Sequence, residues 1–235
     1  MFALPEGREP DTPGWSVRVV PNKFPAFEGQ EVVVHSPAHI RSIADLGDAQ
    51  LALVAEAWHA RARAAREDGY AYLFAGVNEG EAAGSSLPHS HSQLVPFREV
   101  PPAQAAEHDL AGYLRWELGE GTRIVAERDG LVLLCPYGGR GPFECLIAPL
   151  EPEADGFESD LLGPALALAA EALRRLREAL HPSPANLWLH PGAPWHLELL
   201  PRLNVFASIE QGAGVYVNPL APEQAADSLR NATGR

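Results

Sequence analysis

The sequence predicts an α+β fold in which two similar halves share one extended sheet flanked by helices. Three observations support this prediction: two long amphipathic segments, a short β-rich run before each of them, and the same order of parts in both halves. The predicted halves are residues 1–100 and 101–235. A chain of 235 residues can bury about 70% of its unfolded surface, which is enough for a substantial core.

In the first half, a β-rich run at residues 31–37 precedes a helix that we expect over about residues 43–67. Alanine and leucine recur in this segment at helical spacing, and arginine and glutamate occupy many of the remaining positions. A further strand is expected at residues 70–74, and the next strand contains residues 91–96. The order is therefore strand, helix, strand and strand.

The second half begins after a connector at residues 98–108 and a short helix at about residues 110–118. Strands expected at residues 122–127 and 130–135 form a hairpin, because Asp129-Gly130 is a favoured turn pair. The remaining elements repeat the first half, with a strand at 144–149, a helix at about 161–180, and strands at 186–190 and 196–201.

The duplication extends to single residues of the last strand in each half, at a constant offset of 105. Only the first copy keeps both histidines and the glutamine, so we expect the second to be a structural partner that completes the sheet. The histidine of the second copy, His196, can equally be interpreted as a packed structural residue or as a site residue. The matching pairs are His91 with His196, Gln93 with Glu198, and His89 with Pro194.

The formal net charge of −13 argues against proteins that bind nucleic acid or anionic membranes through broad positive surfaces. Only Cys135 and Cys145 are present, too few for a disulfide scaffold and without zinc-type spacing, so cytoplasmic residence is expected. No apolar run approaches the ~20 residues that span a bilayer, and the N-terminus has no signal-peptide pattern. We therefore expect neither a nucleic-acid nor a membrane partner.

The most informative stretch is Gly84-Ser85-Ser86-Leu87-Pro88-His89-Ser90-His91-Ser92-Gln93. Successive side chains of a strand point to opposite faces, so His89, His91 and Gln93 project from the same face. The preceding loop, residues 78–84, is rich in small residues, whose backbone amides can approach an anion closely. Imidazoles, an amide donor and such a loop together predict a phosphate-binding site.

The histidines also have simpler interpretations. His91 could be a core histidine bonded to the backbone, but the flanking asparagine, glycine, serine and glutamine favour a nucleophile. His89 is expected to orient its neighbours by hydrogen bonding rather than to react. We expect the isolated histidines at the surface or at helix ends: His35, His59, His108 and His181.

Four stretches carry a family pattern in order: Arg18 to Pro25, Asn78 to Gln93, Glu198 to Arg202 with Glu210, and Gly212 to Gly214 with Pro222 to Ala226. They resemble the galactose-1-phosphate uridylyltransferase branch of the histidine-triad superfamily over nearly the whole chain. The serines between the histidines are also similar to those of ADP-sugar phosphorylase-like members. The resemblance implies tandem histidine-triad-like halves and a mostly antiparallel sheet.

The resemblance implies that His91 attacks the α-phosphorus of a nucleoside diphosphate sugar, forming a nucleotidyl-histidine and releasing sugar 1-phosphate. Gln93 would donate to the phosphoryl group during this step. The implied partners are the nucleotide sugar, a phosphate or sugar phosphate acceptor, and a second copy in a homodimer. The other implied substrate contacts are Asn22, Lys23 and Phe24 for the nucleoside, Asn78, Gly84, Ser85, Ser86 and His89 for the phosphates, and Glu210 for the sugar.

The glutamine at position 93 favours transfer over hydrolysis, because hydrolytic members of the superfamily carry a third histidine there. The expected activity is that of a nucleotidylyltransferase. Two alternatives stay open: a phosphorylase or hydrolase of nucleoside diphosphate sugars or dinucleoside polyphosphates, and a nucleotide-binding protein without turnover. The sequence names neither the base, nor the sugar, nor the acceptor.

The chain departs from the family pattern in two places. Family members often hold a structural zinc with two cysteines and two histidines, but Phe2 and Pro5 stand where the cysteines would be. His39 and His89 leave two ligands where a closed zinc site needs four, so we expect no cofactor. Near the C-terminus, a tyrosine stands where the family has a glutamine six residues after Glu210, which leaves the hexose open.

Overall fold

The computed structural model of the chain describes residues 14–105, 109–181 and 184–234. Its strands are β1 (Arg18–Pro21), β2 (Glu31–Val34), β3 (Tyr72–Glu79), β4 (His91–Phe97), β5 (Ile124–Arg128), β6 (Leu131–Leu134), β7 (Cys145–Pro149), β8 (Ala185–His190) and β9 (His196–Pro201). They form one sheet in the order β1-β2-β4-β3-β8-β9-β7-β6-β5, in which all neighbours are antiparallel. The predicted α+β fold with one shared antiparallel sheet is confirmed.

The α-helices of the described residues are α1 (Asp48–Glu67), α2 (Pro102–Ala105), α3 (Leu110–Glu120), α4 (Leu162–Leu180), α5 (Ser208–Ala213) and α6 (Pro222–Asn231). The start predicted for the first long helix, at about residue 43, is wrong. Leu46 and Gly47 have extended backbones, so α1 begins only at Asp48, after a separate 3₁₀ turn. The carboxylate of Glu79 accepts the N–H of Ile43 and fixes the start of that turn.

The strand registers give three equivalent pairs of positions in the two halves: Val32 with Leu146, Gly76 with Trp188, and Gln93 with Glu198. Gly76 and Trp188 also lie opposite each other across β3 and β8, so an approximate twofold axis passes between them. The offset is 112 for this pair and 105 for Gln93 and Glu198, so the first half has seven additional residues before β4. The boundary at residue 100 stays a prediction.

Helices α1 and α4 cover one face of the sheet and form the main core with it. Trp58 of α1 and Leu166 of α4 are fully buried against the central strands, which contribute Leu94, Leu187 and Leu197. Each such side chain contributes roughly 1.5–3 kcal/mol when it leaves water. This apolar layer fixes which face of each central strand is turned toward the helices.

The opposite face has two parts. Helix α3 packs over β5, β6 and β7 through a smaller apolar cluster that includes Leu114, Val132 and Leu146. Strands β4, β3, β8 and β9 present most of their polar side chains on this same face, because Leu94, Leu187 and Leu197, which alternate with them, point toward α1 and α4. The candidate site lies in this polar part, on both sides of the approximate twofold axis.

No helix in the described part of the chain combines the length and apolar character that crossing a membrane requires.

Candidate active site

Strand β4 presents His91 and Gln93 on the face opposite α1 and α4, as the alternation predicts. Ser92, between them, points into the core and is fully buried. Gly76 lies opposite Gln93 on β3, and Asn78, two residues further along β3, comes next to His91. The structure therefore brings three of the predicted site residues together on one face of the sheet.

The imidazole of His91 is held in one tautomer. Its Nδ1 lies 2.8 Å from the carbonyl oxygen of His89, and because a carbonyl only accepts, Nδ1–H donates this bond. In the neutral ring Nε2 then carries the lone pair, and no described residue hydrogen-bonds it. A neutral imidazole in this state can attack an electrophilic phosphorus through Nε2.

The two serines that flank His91 are anchored on the core side of β4. Ser90 Oγ lies 2.9 Å from Nδ1 of His35, and Ser92 Oγ accepts from Nε1–H of Trp58 at 2.9 Å. All four of these side chains are buried. The two bonds fix the rotation of β4 about its own axis, and hence the direction in which His91 projects.

The expectation of a surface position for His35 is wrong, because this residue is fully buried beneath β4. Burial, followed by repulsion from His91 and His89, lowers the pKa of His35 to about 3, so the ring is neutral at pH 7. No sequence motif indicates this position, because only the pairing of β2 with β4 brings the partner serine close. Of the other isolated histidines, His181 is exposed at the end of α4, His59 is partly buried, and His108 lies outside the described residues.

Gln93 is bonded by a residue that the sequence motifs did not indicate. Nε2–H of Gln30 donates to Oε1 of Gln93 at 2.8 Å, and Oε1 of Gln30 accepts the backbone N–H of Ala26 at 2.8 Å. Gln30 is 7% exposed and lies just before β2. Because the oxygen of Gln93 is occupied, its amide nitrogen is left to donate to another partner.

The loop between β3 and β4 contains the seven additional residues of the first half. It turns at Gly80 and Gly84, whose φ values of 83° and 91° favour glycine, with a 3₁₀ turn at Glu81–Ala83 between them. The N–H of Ser85 donates to the carbonyl of Gly80 at 3.1 Å and closes the loop. Ser86 follows as an exposed residue, so the predicted phosphate-binding loop is compact and accessible.

Asn78 is oriented by a residue of the second half. Its Oδ1 accepts Nδ2–H of Asn186 at 2.8 Å, and Asn186 also donates to the carbonyl of Ala83 at 2.8 Å. Nδ2 of Asn78 lies 3.7 Å from the place that a Cβ of Gly84 would occupy. A side-chain donor and the glycine loop therefore meet beside His91, which suits an anionic ligand.

The segment predicted to hold the nucleoside lies in the connection between β1 and β2. Oδ1 of Asn22 accepts the N–H of Phe24 at 3.0 Å, and the N–H of Asn22 donates to the carbonyl of Gln30 at 2.9 Å. Phe24 is 81% exposed, with the ammonium of Lys23 5.4 Å from its ring centre. Because Gln30 also bonds Gln93, this segment and the predicted phosphate donor belong to one hydrogen-bonded unit.

Glu210 lies in α5 and is 9% exposed. Its Oε2 accepts the N–H of Ala207 at 2.8 Å, which satisfies a free backbone donor at the start of that helix. Tyr216, six residues later, packs edge-on against Phe206, with ring centres 5.1 Å apart. The contact of Glu210 with a sugar stays a prediction.

His39 and His89 form a hydrogen-bonded pair. Nε2–H of His89 donates to the carbonyl of Ser36 at 2.9 Å, so Nδ1 of His89 accepts, and Nδ1 of His39 lies 3.3 Å from it. Phe2 and Pro5 lie outside the described residues. This pair supplies two of the four ligands that the zinc implied by the resemblance needs. The absence of zinc stays a prediction.

A second polar cluster lies on the same face of the sheet, in the second half. Nη2 of Arg140 and Nε2 of His190 lie 2.7 and 3.1 Å from Oε2 of Glu198, and the Arg140 guanidinium lies 5.1 Å from the ring centre of Trp188. Burial by itself raises the pKa of Glu198, but the bond with His190 and the charge of Arg140 lower it to about 2. The carboxylate is therefore ionised and paired within the protein.

Among the residues described, one group of three side chains could hold a metal ion, namely His190, His196 and Glu198. The rings of His190 and His196 are stacked, with centres 4.3 Å apart and planes 8° from parallel. The guanidinium of Arg140 already neutralises Glu198. An internal ion pair accounts for this cluster without a metal.

Comparison with known proteins finds similarity to the family that the sequence motifs resemble. The N-terminal domain of the galactose-1-phosphate uridyl transferase family matches residues 24–101, which contain β4 and the loop before it. The ADP-glucose phosphorylase of Arabidopsis thaliana is 26% identical over 95% of this chain and 76% of its own length. The galactose-1-phosphate uridylyltransferase of Thermotoga maritima is 25% identical over 85% of this chain and 73% of its own length. The resemblance to the galactose-1-phosphate uridylyltransferase family is confirmed.

The fold agrees with these relatives. A crystal structure of the Arabidopsis thaliana ADP-glucose phosphorylase with bound ADP-glucose superposes with a TM-score of 0.84, covering 99% of this chain and 85% of that one at 24% identity. At this level of identity the likeness shows the fold alone. The relatives are nucleotidyltransferases and phosphorylases, and they support an enzyme of that group.

Proposed function

We propose that the chain is a nucleotidyltransferase that acts on a nucleoside diphosphate sugar through a nucleotidyl-His91 intermediate. The observation that carries this proposal is the Nε2 lone pair of His91, which is available because Nδ1–H donates to the His89 carbonyl. Gln93 and Asn78 have their oxygens bonded elsewhere, and each leaves an amide donor on the same face. The activities in the names of its relatives support the same reaction class.

In the first step, Nε2 of His91 attacks the α-phosphorus of the nucleotide sugar. The N–P bond forms, and the bond from phosphorus to the bridging oxygen breaks. The electron pair leaves on that oxygen as sugar 1-phosphate, a stable anion that needs no proton. Nδ1–H stays on the ring, and its bond to the His89 carbonyl stabilises the positive charge of the nucleotidyl-imidazolium.

In the second step, an oxygen of phosphate or of a sugar phosphate attacks the same phosphorus. The N–P bond breaks, and His91 returns as the neutral ring. Both steps place negative charge on the phosphoryl oxygens, where a preorganised donor such as the Gln93 amide typically contributes about 2.7 to 4 kcal/mol, or about 10²- to 10³-fold in rate. Local donors carry this task, because the net charge of −13 repels an anionic substrate at long range.

Mass spectrometry of the intact chain tests the proposal. The chain is incubated separately with UDP-, ADP- and GDP-sugars, and the expected result with one of them is a mass gain equal to one nucleotidyl group, that is, a nucleoside monophosphate less one water. Peptide mapping should place the adduct on His91, and the peptide that contains His196 serves as the unmodified internal control. Binding of a nucleotide sugar without any adduct or sugar phosphate would instead support a non-catalytic binding protein.

A phosphorylase is the second candidate, favoured by the alignment with the plant ADP-glucose phosphorylase over 95% of this chain. The two candidates differ only in the acceptor that removes the nucleotide from His91. Adding inorganic phosphate or a hexose 1-phosphate to the isolated adduct separates them, because a phosphorylase yields a nucleoside diphosphate and a transferase yields a nucleotide sugar.

We also propose that the chain is a homodimer. Support comes from a set of exposed apolar side chains between residues 203 and 217, of which Val205 is 92% exposed. Several exposed apolar side chains in one segment are a common feature of protein interfaces. Sedimentation equilibrium should give twice the chain mass of 25.3 kDa, and a single-chain mass would contradict the proposal.

A further inference from the structure

Gln30 stands between the hairpin that carries Asn22 to Phe24 and the side chain of Gln93. Its carbonyl oxygen accepts the N–H of Asn22, its Oε1 accepts the N–H of Ala26, and its Nε2–H donates to Gln93. The residue is nearly buried, so water does not compete for these bonds. All the side-chain bonds of Gln30 are made within the protein.

The direction of the Gln93 amide follows from a single backbone group. The N–H of Ala26 can only donate, so the end of the Gln30 amide that faces it must be the oxygen. The other end of that amide, the NH₂ group, faces Gln93 and requires an acceptor, so Gln93 must present Oε1 to it. The NH₂ group of Gln93 is then the end left for a ligand. A reversed amide would place a carbonyl oxygen toward the phosphate.

The second half contains the same arrangement at equivalent positions. The offset of 114 between β2 and β7 places Arg140 at the position of Ala26 and Glu144 at that of Gln30. The backbone N–H of Arg140 donates to Glu144, as that of Ala26 does to Gln30. Both turns also close with a backbone hydrogen bond of 3.3 Å. The N–H of Gln30 donates to the carbonyl of Phe27, and the N–H of Glu144 donates to the carbonyl of Gly141.

We propose that Gln30 is a positioning residue that fixes the direction of the Gln93 amide, so that its NH₂ group and not its oxygen meets the phosphoryl group. This inference rests on the proposed function, because it assigns Gln93 a phosphate as its partner. Gln30 itself does not touch the substrate in this arrangement. It acts through Gln93 alone.

The Gln30→Glu substitution tests this. Its carboxylate still accepts the N–H of Ala26 with one oxygen, but the other oxygen now faces Gln93 and requires a donor. The amide of Gln93 must therefore turn, and its oxygen is presented to the phosphate. The rate of nucleotidyl-adduct formation should fall about 100-fold, similar to the loss of one preorganised donor in Gln93→Ala. Gln30→Leu, which leaves the amide free to rotate, should cost about 10-fold.

A double-mutant cycle separates this effect from the added negative charge. In the Gln93→Ala background, Gln30→Glu should change the rate by less than about 3-fold, because there is no amide left to direct. An equal loss in both backgrounds, or no loss in either, would overturn the proposal. Gln224→Glu on the exposed face of α6 is the charge-matched control, and thermal unfolding of each variant verifies the fold.

A readout independent of turnover keeps this inference distinct from the proposed function. In ¹⁵N-glutamine-labelled chain, the Gln93 side-chain NH₂ signals are identified by their loss in Gln93→Ala. They should shift in Gln30→Glu and stay in place in Gln224→Glu. If the wild-type chain forms no adduct, the proposed function fails while this experiment still decides whether Gln30 directs Gln93. Unshifted Gln93 signals in Gln30→Glu would overturn the inference.

Discussion

His91 on β4 and His196 on β9 occupy equivalent positions, and both direct Nδ1 at the carbonyl two residues earlier. The distances are 2.8 Å to His89 and 3.4 Å to Pro194. A histidine whose Nδ1 faces the backbone carbonyl just before its strand is therefore common to the two halves. The difference lies in the neighbours of each ring, which leave one Nε2 beside amide donors and place the other beside an ion pair.

The neighbours differ because amides stand in one half where carboxylates stand in the other. Gln30 and Gln93 bond each other directly and leave an NH₂ group unpaired. At the equivalent positions, Glu144 and Glu198 would repel each other, and Arg140 neutralises both. An amide pair thus keeps a donor for a ligand, whereas a carboxylate pair uses its cation internally. This difference indicates why phosphate chemistry is expected in one half only.

The two halves also differ in the length of the connection that precedes the histidine strand. Seven additional residues in the first half form the glycine loop between β3 and β4. In the second half a short connection joins β8 directly to β9, and Trp188 stands at the position of Gly76. Donors for an anion are therefore present next to His91, while an indole lies close to the guanidinium of Arg140.

The largest expected effect separates the two histidines. His91→Ala should reduce turnover at least about 10³-fold and abolish the adduct, because no other described imidazole replaces its Nε2. His196→Ala should change turnover less than 10-fold, roughly the cost of a small shift in packing. Steady-state kinetics with the nucleotide sugar that forms the adduct provide the measurement. Equal losses in the two variants would show that the halves are not functionally distinct.

The residues two positions later should differ in which property is lost most. Gln93→Ala should reduce kcat/KM by about 100-fold, since it removes a donor to the transition state. It should lower the free energy of unfolding by only about 1 kcal/mol, the cost of leaving the NH₂ group of Gln30 without its acceptor. Glu198→Ala should lower the free energy of unfolding by about 2 kcal/mol, because it leaves Arg140 partly buried without one of its carboxylates. Urea unfolding and kinetics on both variants make the comparison. A Glu198→Ala chain that loses activity but keeps its stability would contradict it.

Acid sensitivity should depend on His35. Because burial lowers its pKa from 6.5 to about 3, the unfolded chain binds a proton below pH 6.5 that the folded chain does not. The free energy of unfolding therefore decreases as the pH is lowered from 6.5 toward 3. His35 should contribute about 2 kcal/mol of the decrease between pH 7 and pH 5. His35→Gln keeps a partner for Ser90 without titrating, so its unfolding curves at the two pH values should lie closer together. An unchanged difference would place the acid sensitivity elsewhere.

The smallest expected effect concerns metal. If His39 and His89 bond each other and hold no zinc, a chelator should change the melting temperature of the chain by less than about 1 °C and leave adduct formation intact. Elemental analysis of the purified chain provides the matching measurement. A large drop in melting temperature that zinc restores would show that the pair binds the metal with further ligands.

Much of the fold and part of the site could be predicted from local pattern. The alternation of His91 and Gln93 set a shared face for the histidine strand, and the order of strands and helices indicated the duplication. The alternation does not extend to His89, which precedes β4 and bonds His39 and the carbonyl of Ser36. The start of α1 was missed because the bond from Glu79 to the turn before it joins residues 36 positions apart. Gln30 and His35 were missed for the same reason, since their partners lie 63 and 55 positions away along the chain.

The sequence by itself determined which side chains share a face of β4, because the two-residue period of a strand is a property of the local backbone. It also determined the glycine loop, whose positive φ angles require that residue. Only the tertiary structure decided which groups meet those side chains. Gln30 bonds Gln93, and Arg140 bonds Glu198. His35 and Trp58 bond the hydroxyls of the two serines that flank His91. Hydrogen bonds act over about 3 Å, so their partners are set by sheet register and helix packing rather than by proximity along the chain.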